Sequence, residues 1–192
     1  MEADWSVEIG PDSPWIDAAW PGFLDLRTSP HAVDTLPEAA PHPALRNALL
    51  ALNAPSARLY TSKCDVWSID GNEIDPDEFS ATPQKAIAGF ASYIDILSVN
   101  PAVVSSFALN EQRARDLTAR LRNLDTNCAR VDVVLRRATA IIAAPETTAA
   151  YGITLYVAAC GPDLAAAYTT WQAALHAAVA ATIAVAASRT GE

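Results

Sequence analysis

A chain of 192 residues with 51% hydrophobic and 18% charged side chains can bury a sizeable core, which excludes a disordered chain. Its formal net charge of −9 argues against general nucleic-acid binding, because phosphate affinity comes largely from Lys and Arg displacing condensed counterions. The charge is segregated: residues 1–100 hold fifteen acidic and five basic side chains, residues 101–192 seven and eight.

The first ten residues are acidic and mixed, with neither the basic start nor the apolar run of a secretory signal. Residues 1–41 then carry three of the five tryptophans, Trp5, Trp15 and Trp20, with six prolines and no helical period. Disordered tails are poor in aromatics, so this stretch reads as an extended arm that docks on a single domain spanning 42–192. Trp15 and Trp20 are the expected anchors.

A short helix follows at 43–53, with Pro43 in its first turn, an apolar stripe of Leu45, Ala48, Leu49 and Leu52, and Asn53-Ala54-Pro55 as its stop. Residues 58–67 alternate as a strand would, with Tyr60, Ser62, Cys64 and Val66 against Leu59, Thr61, Lys63, Asp65 and Trp67, although neither set is cleanly apolar. The acidic connection from Asp70 to Glu78 fails as a calcium loop of the EF-hand type, because its fifth position is Ile74 and its sixth Asp75. A strand at 89–98 sets Phe90, Ile94 and Ile96 against Tyr93 and Asp95. Asn100-Pro101 opens a helix best formed over 105–124, with Ala114, Leu117, Leu121 and Leu124 as its inner stripe.

Two further strands are expected at 129–139 and 151–160, joined by a connection of about a dozen residues containing Pro145. After Gly161-Pro162, residues 163–187 read as a long alanine-rich helix. Thr169, Thr170, Gln172, His176 and Thr182 interrupt its apolar run, and strongly lipophilic residues are few, so a core helix is expected rather than a membrane span. The predicted fold is α+β: an antiparallel sheet of at least four strands, helices packed mainly on one face, in the order α-β-β-α-β-β-α after the arm. That order resembles the topology of type III secretion chaperone-like domains, which implies a chaperone-like or adaptor-like role.

Candidate chemistry is sparse. Asp65, Asp95 and Asp132 fall on the polar face of three strands, with Lys63, Arg136, Tyr93 and Tyr156 on the same pattern. If register brought the aspartates together they could hold Mg²⁺ for a small enzyme or a ligand-binding domain, with Arg136 beside them. His31, His42 and His176 are isolated, and no GxSxG, P-loop, dinucleotide or HExxH pattern occurs. Cys64, Cys128 and Cys160 are an odd number without CxxC spacing, which suits reduced cytoplasmic thiols better than a disulfide framework or a zinc site. The leading expectation is therefore a cytoplasmic protein without catalysis or cofactor, which binds a protein partner or itself and neither nucleic acid nor membrane. Trp15, Trp20 and the basic cluster with Arg113 and Arg120 would supply the contacts. The helix at 163–187, apolar over most of its circumference, would form a homodimer near Trp171.

Overall fold

Alternating polar and apolar residues place six strands in one sheet of the computed structural model, which describes residues 1–143 and 146–188. These are β1 (Glu2–Glu8), β2 (Ile16–Asp17), β3 (Leu59–Ile69), β4 (Ala88–Ser98), β5 (Ala129–Ala143) and β6 (Glu146–Gly161). The sheet runs β1-β5-β6-β4-β3, with β2 also hydrogen-bonded to β5. β3 through β6 pair antiparallel, whereas β1 and β2 run parallel to β5.

Two expectations are corrected here. The sheet is mixed rather than antiparallel throughout, and two segments of the expected arm, residues 2–8 and 16–17, are strands within it. The run Glu2-Ala3-Asp4-Trp5-Ser6-Val7-Glu8 has a period of two, so Ala3 and Trp5 reach the core while the acidic residues take the other face. β5 and β6 are also longer than expected and occupy most of the anticipated connection. Pro145 lies outside the described residues.

The helices are α1 (Pro43–Leu52), α2 (Pro101–Val104), α3 (Phe107–Arg122) and α4 (Leu164–Ala187). Each boundary has a local cause. Pro43 begins α1, Asn100 caps α2 through the Ala102 amide, Ser106 caps α3 through Leu109, and Asp163 caps α4 through Ala166. α1, α3 and α4 cover one sheet face. Leu45, Leu49 and Leu52 of α1, Ala114, Leu117 and Leu121 of α3, and Trp171, Leu175 and Val179 of α4 share a core with Phe90, Ile94, Val131, Val133, Leu155 and Val157. Fully burying a large apolar side chain contributes about 1.5–3 kcal/mol, so this interface supplies much of the cohesion.

α4 is the one helix among the described residues long and apolar enough to cross a membrane, and half of its most apolar window is buried inside the protein. Trp171, Leu175, Val179 and Val185 are buried on its inner side, whereas Leu164 at its start is exposed. Trp171 is fully buried and donates its indole N–H to Ser92 Oγ at 3.0 Å, while the outward positions are mostly small: Ala165, Thr169, Ala173, His176 and Ala180. Trp171 therefore stands in the core of this chain, because a long helix seated on a broad sheet hides its aromatic side within the monomer.

Candidate functional site

The sheet face opposite α1, α3 and α4 is closed at its two ends and open across its middle. At one end β2 and the following turn lay Ile16, Ala18 and Phe23 over Tyr60, Leu97, Ala138, Ala140 and Ala150. The approach is close: a Cβ added to Gly152 would sit 2.9 Å from Ile16 Cδ1 and 2.8 Å from Leu97 Cδ2. At the other end the acidic connection folds back, packing Ile74, Phe79 and Ala86 on Ala158 and Cys160. Its Asp70 and Asp75 cap short helical turns by accepting from the Asn72 and Asp77 amides.

Between these two lids, register sets one row of side chains across four strands. Asp65 lies opposite Tyr93, Tyr93 opposite Tyr156, and Tyr156 opposite Asp132. Trp67, 40% exposed, extends the row at the β3 edge, with ring centroids 6.4 Å from Tyr93. Tyr93 lies 5.8 Å from Tyr156, and the Arg136 guanidinium 5.5 Å from the Tyr156 ring. The band offers flat π faces with little conformational entropy to lose, the kind of surface that binds by stacking and shape.

A polar network holds the floor of the band together. Thr154 donates to Asp95 Oδ1 at 2.5 Å, and Arg136 reaches Thr154 Oγ1 at 3.3 Å, the Tyr156 hydroxyl at 3.2 Å and Glu8 Oε2 at 2.7 Å. It ties β1 to β5, β6 and β4. Burial raises the Asp95 carboxyl above its ordinary range, against the lowering effects of the Thr154 hydroxyl and the charges of Arg136 and Lys63. Burial, followed by the Asp95 and Asp65 charges, pushes the Tyr93 phenol up to about 12, so it is protonated and uncharged at neutral pH.

The three aspartates share this face but do not converge. Asp65 and Asp132 end the row three strand spacings apart, about 14 Å at ~4.8 Å per spacing, with both tyrosines between them. Asp132 is held by Arg130 at 2.9 Å, Asp95 sits opposite Thr154 in the next row, and Asp65 accepts its own neighbour's amide at Val66. No group of three His, Cys, Asp or Glu residues that could hold a metal occurs among the described residues.

Next to the band a cavity of about 290 Å³ opens between the turn after β2, α1 and the β3 edge, lined by Trp20, Leu24, Leu26, Glu38, Lys63 and Asp65 among others. A β-bulge between Thr61 and Cys64 shapes it. The one extra residue reverses the alternation, so Leu59, Thr61, Cys64 and Val66 share the helix face while Tyr60, Asp65 and Trp67 share the open one. This explains why neither set looked apolar in the sequence. Asn53 braces the bulge, donating to Thr61 Oγ1 at 2.8 Å and accepting from the Thr61 amide at 3.1 Å. Lys63 Nζ lies 5.3 Å over the Trp20 ring. Burial, with Glu38, Asp65 and Asp95 nearby, pushes the Cys64 thiol up to about 12, which makes it inert as a nucleophile at neutral pH.

The other expected binding residues are scattered. Trp15 is 47% exposed with Arg137 5.9 Å from its ring, so the anchor of this segment is its neighbour Ile16; Trp20 is half-buried. Arg113 is buried, lining a cavity of about 30 Å³ beneath α3 and α4, because its position on α3 faces the sheet; Arg120 is exposed on the last turn. Glu8 and Thr154 were missed, although the two-residue period of 2–8 signals a strand. Comparison with protein-family models, with characterised proteins and with solved structures found no match.

Proposed function

We propose that this chain is a non-catalytic binding protein that takes a protein partner on the band between the two lids. The observation that carries the proposal is the aromatic cluster of exposed Trp67 and half-buried Tyr93 and Tyr156, between the two packed ends of this face. Aromatic residues are enriched at protein interfaces, and here they stand on rigid strands rather than on loops. The chemistry around them favours recognition over reaction. Cys64 and Tyr93 are protonated at neutral pH, and His42 lies in an aromatic cluster with Phe90, Tyr168 and Trp171.

Charge selects the partner. Arg136 offsets Glu8, and Arg130 offsets Asp132 and Glu78. Asp65 and the lid residues Asp70, Glu73, Asp75 and Asp77 are exposed and have no cationic partner within ion-pair distance among the described residues. A basic surface with apolar or aromatic side chains complements this arrangement. A cytoplasmic location agrees with three free thiols, Cys64, Cys128 and Cys160. The cavity beside Trp20 supports a second reading, in which a small ligand occupies it without any metal.

The test is photo-crosslinking in the cells that make the protein. A photoreactive residue replaces Tyr156 in the band or Ala173 on the outer side of α4. The proposal expects a discrete protein adduct from position 156 only, and adducts from 173 alone would refute it. A homodimeric adduct from 156 would identify the partner as a second copy.

A further inference from the structure

Cys128 and Cys160 are far apart in sequence and meet at the end of the β5–β6 ladder. The ladder ends at Ala129 and Ala159, and just beyond it the Cys160 amide donates at 2.9 Å to the carbonyl of Cys128, which stands in the turn before β5 with a left-handed backbone (φ 58°). The two side chains are also within hydrogen-bonding reach of each other, so the sulfurs already lie side by side, and a disulfide needs Cα atoms within only about 4.4–6.8 Å. Both side chains enter the same apolar cluster under Ile74, Phe79 and Ala86. The third cysteine cannot compete. Cys64 lies on β3, two strands from β6, and points to the helix face.

We propose that Cys128 and Cys160 form a reversible disulfide, with Cys128 meeting the oxidant and Cys160 closing the bond. Cys128 is partly exposed and Cys160 buried, so a small reagent reaches Cys128 first. Burial and the adjacent Cys128 thiol push the Cys160 thiol up to about 11, which keeps it protonated until Cys128 has reacted.

The oxidant is a low-molecular-weight disulfide. The Cys128 thiolate attacks one of its sulfurs, forming a mixed disulfide and expelling one small thiolate, which takes up the proton that Cys128 gave. Cys160 then loses its proton to solvent, attacks the Cys128 sulfur and expels the second small thiolate. Two protein thiols are oxidised by two electrons, and one small disulfide is reduced to two thiols. The bond staples the start of β5 to the end of β6, beneath the acidic lid and just before α4.

The full chain is incubated with oxidised glutathione, its free thiols are blocked, and its peptides are mapped by mass spectrometry without reduction. The proposal expects a linked Cys128–Cys160 peptide, a protein mass lower by about 2 Da and a blocked Cys64. A dithiol reductant should reverse the link and lower the melting temperature again, because closing the loop constrains the unfolded chain. Cys64→Ser should behave as the wild type, and Cys160→Ser should stop at a glutathione adduct on Cys128. A persistent glutathione adduct on Cys128 of the wild type, a bond through Cys64, or no reaction in the folded chain would each overturn the proposal.

Discussion

Ile16→Ala should destabilise the protein severely, although Ile16 sits in a strand of two residues and next to an exposed tryptophan. Ile16 is fully buried against Tyr60, Leu97, Ala138 and the backbone at Gly152. Truncation removes three carbons, about 2.5 kcal/mol at ~0.8 kcal/mol per buried methylene. The cavity left beneath a short strand raises the total to about 3–4 kcal/mol. That is a large share of the roughly 5–15 kcal/mol of a typical domain, and for this chain length it lowers the melting temperature by roughly 6–16 °C. Urea unfolding followed by circular dichroism gives the free energy, and hydrogen exchange at residues 138–140 reports whether β2 has left β5. Trp15→Ala is the internal control and should stay within about 0.5 kcal/mol of the wild type, as a substitution at an exposed site does. Equal losses in the two variants, or less than about 1 kcal/mol for Ile16→Ala, would show that the segment after β1 is not seated as described.

Gly22→Ala should release the tryptophan that walls the cavity, because the added methyl would lie 1.9 Å from Trp20 Cζ3; a red-shifted emission component, absent when Trp20 is also replaced, checks this. Asn53→Ala leaves the Thr61 amide unpaired beneath the bulge and should cost about 1–3 kcal/mol in denaturant unfolding. Asp95→Asn tests the buried carboxyl through its pH dependence. Because the folded pKa lies above the unfolded one, the stabilising effect is full below the unfolded value near 3.8 and is lost as pH rises through the folded pKa. The wild-type-minus-variant stability should therefore fall across that window and be negative at neutral pH, and a flat or rising difference would contradict the assignment.

Much of the architecture was legible because one face of each central strand is apolar. Val131 and Val133 oppose Asp132, and Leu155 opposes Tyr156, so β5 and β6 assign their own faces. The bulge in β3 was hidden, since one extra residue, with Ser62 and Lys63 together facing Asp95, shifts the alternation by one and erases the pattern that would reveal it. β1 was overlooked for a different reason: an edge strand needs only Ala3 and Trp5 inside, and Pro11 and Pro14 soon afterwards draw attention to a loop. The site was less readable still. Alternation put Asp65, Asp95 and Asp132 on one face, but their separation depends on strand order, which local pattern does not contain. The Cys128–Cys160 pairing depends on register in the same way, and the burial of Trp171 depends on which side of an alanine-rich helix meets the sheet.

The central claim, that the aromatic band is the binding face, is tested most directly by the affinity of the crosslinked partner for three forms of the protein at two salt concentrations. Trp67→Ala should weaken binding at least tenfold, about 1.4 kcal/mol or more, with an unchanged melting temperature, because Trp67 is an exposed edge residue. Ala173→Asp on the outer side of α4 should bind as the wild type does, and added salt should weaken all three through the acidic lid. Loss of binding in Ala173→Asp, with wild-type affinity in Trp67→Ala, would place the interface on the helices and contradict the account.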